Sequence, residues 1–156
     1  MRLSFPGLGE EGAELPKTEQ AVRNLYSAFH QGEWKPSNLS AIGTNVVQTK
    51  GMFQLVGNAC FVFLEFTADS IAWTYNSDPK LPLPISTRGV SPGQIGAFAP
   101  PDALTFADSN GLVGQQLMIY NRTENGLLVG ELNPIPSISI AVASTFYISG
   151  YYLLLN

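Results

Sequence analysis

His30 is the single histidine of the chain and Cys60 its single cysteine, and between them they bound the chemistry available. One imidazole cannot make a two-histidine metal site, and one thiol cannot make a thiolate cluster, so no metal or other cofactor is expected. A nucleophile, base and orienter set would have to recruit His30. That residue falls instead at the end of an expected helix, where an imidazole suits the dipole and the unpaired carbonyls. Cys60 stands in an apolar run beside Phe61, the setting of a small buried side chain. Paired carboxylates are the remaining enzymatic route, because glycan cleavage needs an acid with a nucleophile or base. Asp102 with Asp108, and Asp69 with Asp78, are the candidates, yet all four stand among Pro, Ser, Asn and Gly. Asp in such company makes local turn bonds. Gly111-Leu112-Val113-Gly114 lacks the Lys and Ser or Thr of a phosphate loop, and Gly7-Leu8-Gly9 follows no strand. No catalytic residue is assigned, and the chain is not expected to be an enzyme.

Recognition suits the residues better than turnover. Trp73 and Tyr75 are two apart on one expected strand, so they share a face, and Asn76 opens a polar loop after them. Aromatic rings beside an amide bind sugars by stacking and hydrogen bonding. The competing reading makes the same rings core or intersubunit packing. Asn38-Leu39-Ser40 and Asn121-Arg122-Thr123 have the form of glycosylation acceptors. Without a secretory leader they are read as coincidence.

Local signals divide the chain in two, an N-terminal part at 1–44 and a β domain at 45–156. Residues 1–14 carry three Gly, one Pro and three Glu and read as an extended arm, either a frayed terminus or a docking arm. In the second case Leu3, Phe5 and Leu8 anchor it to a partner. Residues 16–31 are the one expected helix, with Pro16 in its first turn and Gly32 just past its last. Leu15, Thr18, Val22, Leu25 and Phe29 follow coiled-coil spacing. Two heptads do not hold alone in water. The stripe therefore buries against the β domain or against the same helix of neighbouring subunits.

From residue 44 onward the period is that of strands. Met52–Val56 and Ala59–Thr67 flank Gly57-Asn58, a hairpin signal because both turn residues tolerate positive φ. Further strands are expected at Ile71–Tyr75, Gly93–Ala99, Gln116–Tyr120, Leu127–Glu131, Ser137–Val142 and Thr145–Leu155. Short strands with regular Gly, Pro, Asn and Asp punctuation and no interleaved helix describe an all-β jelly roll or β-sandwich. Phe61–Phe66 and Phe146–Leu155 are apolar on both faces, which a sheet with one wet side does not explain. Another subunit is the expected cover, with Ile148 and Tyr152 in a trimer interface beside Leu15, Val22, Leu25 and Phe29.

Composition agrees with burial against copies. Hydrophobic residues make up 45% of the chain, and charged residues 13%, about half the usual share. The net charge of −4 with eight scattered Lys and Arg leaves no footprint for nucleic acid. The opening residues carry no apolar leader core, and no run approaches the roughly 18 apolar residues of a membrane span. Synthesis in a cytoplasm without membrane insertion is expected.

Gly51-Met52-Phe53-Gln54-Leu55-Val56-Gly57-Asn58, then Leu81-Pro82-Leu83-Pro84, then Phe146-Tyr147-Ile148-Ser149-Gly150-Tyr151-Tyr152-Leu153 occur in that order. Together they resemble the C-terminal head domains of tail and head fibres of tailed bacteriophages. The resemblance spans roughly 45–155 and departs at Leu83, where the family has an aromatic, and at Tyr151, where it has Thr. It implies a trimer of jelly rolls fixed to the particle by the N-terminal segment. The expected role is a short fibre, spike or decoration subunit of the virion, assembled in a bacterial cytoplasm. Its partners would be a homotrimer, other structural proteins of capsid, neck or tail, and a host-surface glycan. A free lectin-like module is the alternative, and a glycan-cleaving spike the third reading.

Overall fold

The computed structural model describes residues 29–85, 96–111 and 114–155. They form twelve strands: β1 (Phe29–Glu33), β2 (Gly43–Thr44), β3 (Val47–Val56), β4 (Ala59–Ala68), β5 (Ser70–Trp73), β6 (Leu81–Pro82), β7 (Gly96–Phe98), β8 (Leu104–Asp108), β9 (Gln115–Glu124), β10 (Leu127–Pro134), β11 (Ile138–Ile140) and β12 (Ser144–Leu155). A short 3-10 turn covers Leu39–Ile42. The large sheet runs β1-β3-β4-β12-β8-β9-β10-β6, with β7 also on β12, and a small sheet runs β11-β5-β2. Every pairing is antiparallel. The fold is all-β.

Residues alternate across a strand, so β4 and β12 each sort their side chains into two sets. Cys60, Val62, Leu64 and Phe66 lie opposite Tyr152, Gly150, Ile148 and Phe146, and apart from the glycine all of them are buried. Phe66, Phe106 and Phe146 pack ring to ring with centroids 5.5–6.2 Å apart. Trp73 of the small sheet meets Phe106 edge-on at 6.2 Å, so the two sheets share one core. Leu104, Leu117, Leu132, Ile138 and Leu154 complete it from the remaining strands.

Gly150 shows why β12 can serve two partners. It sits at φ +133°, and the carbonyl of Ala103 occupies the space a Cβ would need. Before it β12 pairs with β8, and beyond it with β7. Only glycine takes that φ without strain and admits a backbone so close.

The Gly57-Asn58 hairpin forms as expected, with Val56 opposite Ala59 and Gly57 at φ +62°. Three expectations change. Phe29–Gln31, expected as the last helical turn, lie in β1 opposite Val56, Leu55 and Gln54. Gly32 is no helix stop but a strand residue with the Phe53 ring 2.8 Å from where its Cβ would stand. The free edge of β3 offers these residues a backbone partner along their whole length, which outweighs a local apolar period. The remainder of that helix, residues 16–28, lies outside the described residues. Second, Trp34, Leu39 and Ile42 are buried in the same core as the strands that follow, so the β unit takes in residues 29–44 as well. Third, Leu104–Asp108, not expected as a strand, is β8, and Leu81-Pro82 pairs with Leu132 and Glu131.

Candidate functional site

Trp73, expected in a sugar platform, is fully buried. Its indole N–H donates to the Pro79 carbonyl at 2.7 Å, and its ring belongs to the aromatic core. The strand ends at Trp73, so Tyr75 escapes the period and is 47% exposed. Asn76 is also exposed, at φ +55°. The loop carrying them is braced by Asn133, the one buried polar side chain among the described residues. Asn133 Oδ1 accepts from the Asn76 N–H, and Nδ2 donates to the carbonyls of Thr74 and Ser77 at 3.2 and 3.1 Å. The Tyr75 N–H donates to Ser137 Oγ at 2.7 Å. An amide inside a strand is depleted by propensity, and that is the signal Asn133 gives in the sequence.

Ile148 and Tyr152, expected between subunits, are also fully buried within the single chain. They occupy the inward positions of β12, where the aromatic core covers them. The Tyr152 hydroxyl donates to the Ile85 carbonyl and accepts from the Ile85 N–H at 3.2 Å. Burial holds the Tyr152 phenol and the Cys60 thiol beside it above their ordinary ranges. Cys60 is thus a buried core residue, as expected. His30 stands in β1 rather than at a helix end. Leu3, Phe5, Leu8, Leu15, Val22 and Leu25 lie outside the described residues.

The carboxylates singled out for chemistry make short-range contacts. Asp108 Oδ1 accepts from the Asn110 N–H at 3.0 Å, and Asp69 Oδ2 from the Asn45 amide at 2.6 Å. Asp78 meets Lys80 at 3.6 Å, and Asp102 sits in a turn at φ +64°. Among the described residues no three His, Cys, Asp or Glu converge on a common point that would hold a metal. Asn121 uses both ends of its amide on β7, accepting from the Ala97 N–H at 3.2 Å and donating to its carbonyl at 2.8 Å.

What remains is the other side of β3, β4 and β12. The positions alternating with the core set bring Met52 opposite Phe63, Phe63 opposite Ser149, Gln54 opposite Phe61, and Phe61 opposite Tyr151. Phe61 and Tyr151 rings are 5.8 Å apart, and Phe63 and Tyr147 rings 6.2 Å. Leu153 and Phe98 extend the row onto β7. Met52, Phe61 and Phe98 are each about half exposed, at 55%, 47% and 49%. A groove of about 530 Å³ crosses this face between β1, β3 and β4, bordered by Gln31, Met52, Gln54, Phe61 and Phe63. Its lining carries no carboxylate, imidazole or thiol, so it offers apolar and aromatic contact. Charge borders it on two sides: Glu65 lies between Lys50 and Tyr147, and Glu33, opposite Met52, meets Lys35 at 3.1 Å. The strands are apolar on both faces, as expected, and Ile148 and Tyr152 stand on the face that the chain's own core covers.

No protein-family model, curated protein or solved structure matches the chain.

Proposed function

We propose that the chain is a structural subunit of a tailed-phage virion, a short homotrimeric fibre, spike or decoration protein. Its β unit is read as a jelly-roll head, and its N-terminal segment as the attachment to capsid, neck or tail. One observation carries the reading: a low-charge, all-β unit whose central strands bury one face in its own core and leave the other apolar face uncovered. Exposed apolar surface of that extent marks an interaction site, and a subunit of an assembly has the copies and neighbours to cover it. The stretches that carry the resemblance to fibre heads fall on β3 and its turn, on β6 and on β12, which adds support. Low charge, with no cluster of metal-ligating side chains among the described residues, fits attachment better than chemistry.

A glycan-binding reading is favoured by one feature, the exposed Tyr75 on a loop braced by Asn133. It now rests on Tyr75 and Asn76 without Trp73. Host-surface adhesion would be a second task of the same subunit.

Quantitative mass spectrometry of purified parent particles tests the first reading. The chain is expected at a fixed copy number divisible by three, and deletion of residues 1–14 should leave a folded protein that no longer incorporates. Absence from washed particles would sink the reading. Full incorporation of the truncated chain would move the anchor into the β unit.

A further inference from the structure

We propose that the outward face of β3, β4 and β12 is where copies of this chain meet, with Met52, Phe61, Phe63, Tyr147 and Tyr151 of each copy packed against another copy. This rests on the assembly-subunit reading and names the surface and the partner that the reading requires. It also replaces the inward residues Ile148 and Tyr152, which are buried in the chain's own core.

Size is the first argument. Three side chains on the face leave about half their surface to solvent, and half-buried aromatics fill the space between them. An aromatic side chain offers about 150–250 Å², so the apolar area reaches roughly 500 Å². That is at the upper end for the largest patch of a monomer, about 300–600 Å². With the polar border it approaches the roughly 800 Å² per partner of a standard interface.

Charge is the second. The strip from Phe61 and Phe63 to Tyr151 holds no ionised group, and the border charges come in opposite-sign couples, Lys50 opposite Glu65 and Glu33 with Lys35 at 3.1 Å. A strongly charged partner would find nothing to pair with there. Copies of this face gathered around a three-fold axis meet without like-charge repulsion at its centre, and Gln31 and Gln54 supply hydrogen bonds that carry no net charge.

The third argument is where the preceding chain arrives. Residues 1–28 carry the coiled-coil-spaced Leu15, Val22 and Leu25, and they lead into β1. That strand is the edge of the large sheet and borders the groove on this face. The chain that carries the coiled-coil spacing thus enters the fold at the strand that borders this face.

Light scattering on the full chain tests the proposal, comparing wild type with the pair Phe61→Lys and Tyr151→Lys. Thr67→Lys, an exposed position on β4 outside the apolar rows, is the control. Wild type and control should give about three times 16.8 kDa. The double variant should give a single-chain mass and keep the near-ultraviolet circular dichroism of its buried Trp73. If that signal is lost, the more exposed Met52→Lys carries the same test. A double variant that keeps the wild-type mass overturns the proposal and leaves the particle-subunit reading standing, because incorporation is measured separately. A monomeric wild type overturns it too. A lower thermal midpoint in its double variant would then point to residues 1–28 of the same chain as the cover, and an unchanged midpoint to a face left wet.

Discussion

Two long hairpins lie in the large sheet, β3–β4 closing at Gly57-Asn58 and β9–β10 at Asn125-Gly126. Each turns in two residues, with Val56 opposite Ala59 in one and Glu124 opposite Leu127 in the other. Asn125 and Gly126 both have positive φ, 52° and 81°, the geometry whose twist matches the strands it joins. Beyond the turns the two diverge. β4 lies between β3 and β12, so its inward residues are sealed and its outward ones form the apolar face. β9 is exposed from Arg122 to Glu124, beyond Asn121, whose amide holds β7. Arg122 there reaches Glu131 at 2.7 Å and Glu124 at 3.3 Å. Turn chemistry and ladder pairing make a hairpin, and what settles against it decides whether each face is dry.

The comparison breaks if the two hairpins respond alike to truncation. Phe66→Ala removes the ring that stacks on Phe146 and packs tilted against Phe106. It should lower unfolding free energy by about 3–5 kcal/mol in urea titrations, a large share of a domain's typical 5–15 kcal/mol. A loss below about 1 kcal/mol would mean that the aromatic stack is not what joins the two sheets.

A pH series sharpens the contrast between dry and wet faces. Cys60 and Tyr152 keep their protons in the fold, because burial raises both pKa values. Unfolded, they ionise above about pH 9 and pH 10, the ordinary values. A raised folded pKa contributes stability that is fully present below the unfolded pKa and lost as pH rises beyond it. The urea midpoint should therefore fall above pH 9, each group contributing up to about 1.4 kcal/mol per pH unit. Cys60→Ala with Tyr152→Phe should flatten that decline. An equally steep decline in the double variant would place its origin elsewhere.

The smallest effect belongs to the wet hairpin. Arg122 is exposed and its ion pairs are screened by salt, so Arg122→Ala should leave the thermal midpoint unchanged at physiological ionic strength. A clear drop there would show that the β9–β10 tip is held by charge rather than by its turn and ladder.

Several elements were legible without the fold. Gly57-Asn58 between two β-rich runs placed the first hairpin. Alternation along Cys60–Leu64 is harder to read, because both residue sets there are apolar and a period of two vanishes when both faces look alike. β8 was missed for a related reason: Leu104-Thr105-Phe106-Ala107-Asp108 is short and sits between turn residues, and only its place beside β12 makes it a strand. Trp73 and Tyr75 shared an expected face because the strand was taken two residues too far. Its end after Trp73 buries one ring and exposes the other.

The sequence by itself determined the class of structure. β-branched and aromatic runs, Gly, Pro and Asn punctuation, and the scarcity of charge dictate antiparallel strands with more apolar surface than one core absorbs. Tertiary structure decided which surface that is. Backbone groups of Phe29–Glu33 pair with the free edge of β3, so a helical period yields to a strand. The second sheet packs on the side of β12 that holds Ile148 and Tyr152, so the opposite side holds the rings left over. Neither choice is written in local residue types, because each depends on hydrogen-bond partners and neighbours brought from distant parts of the chain.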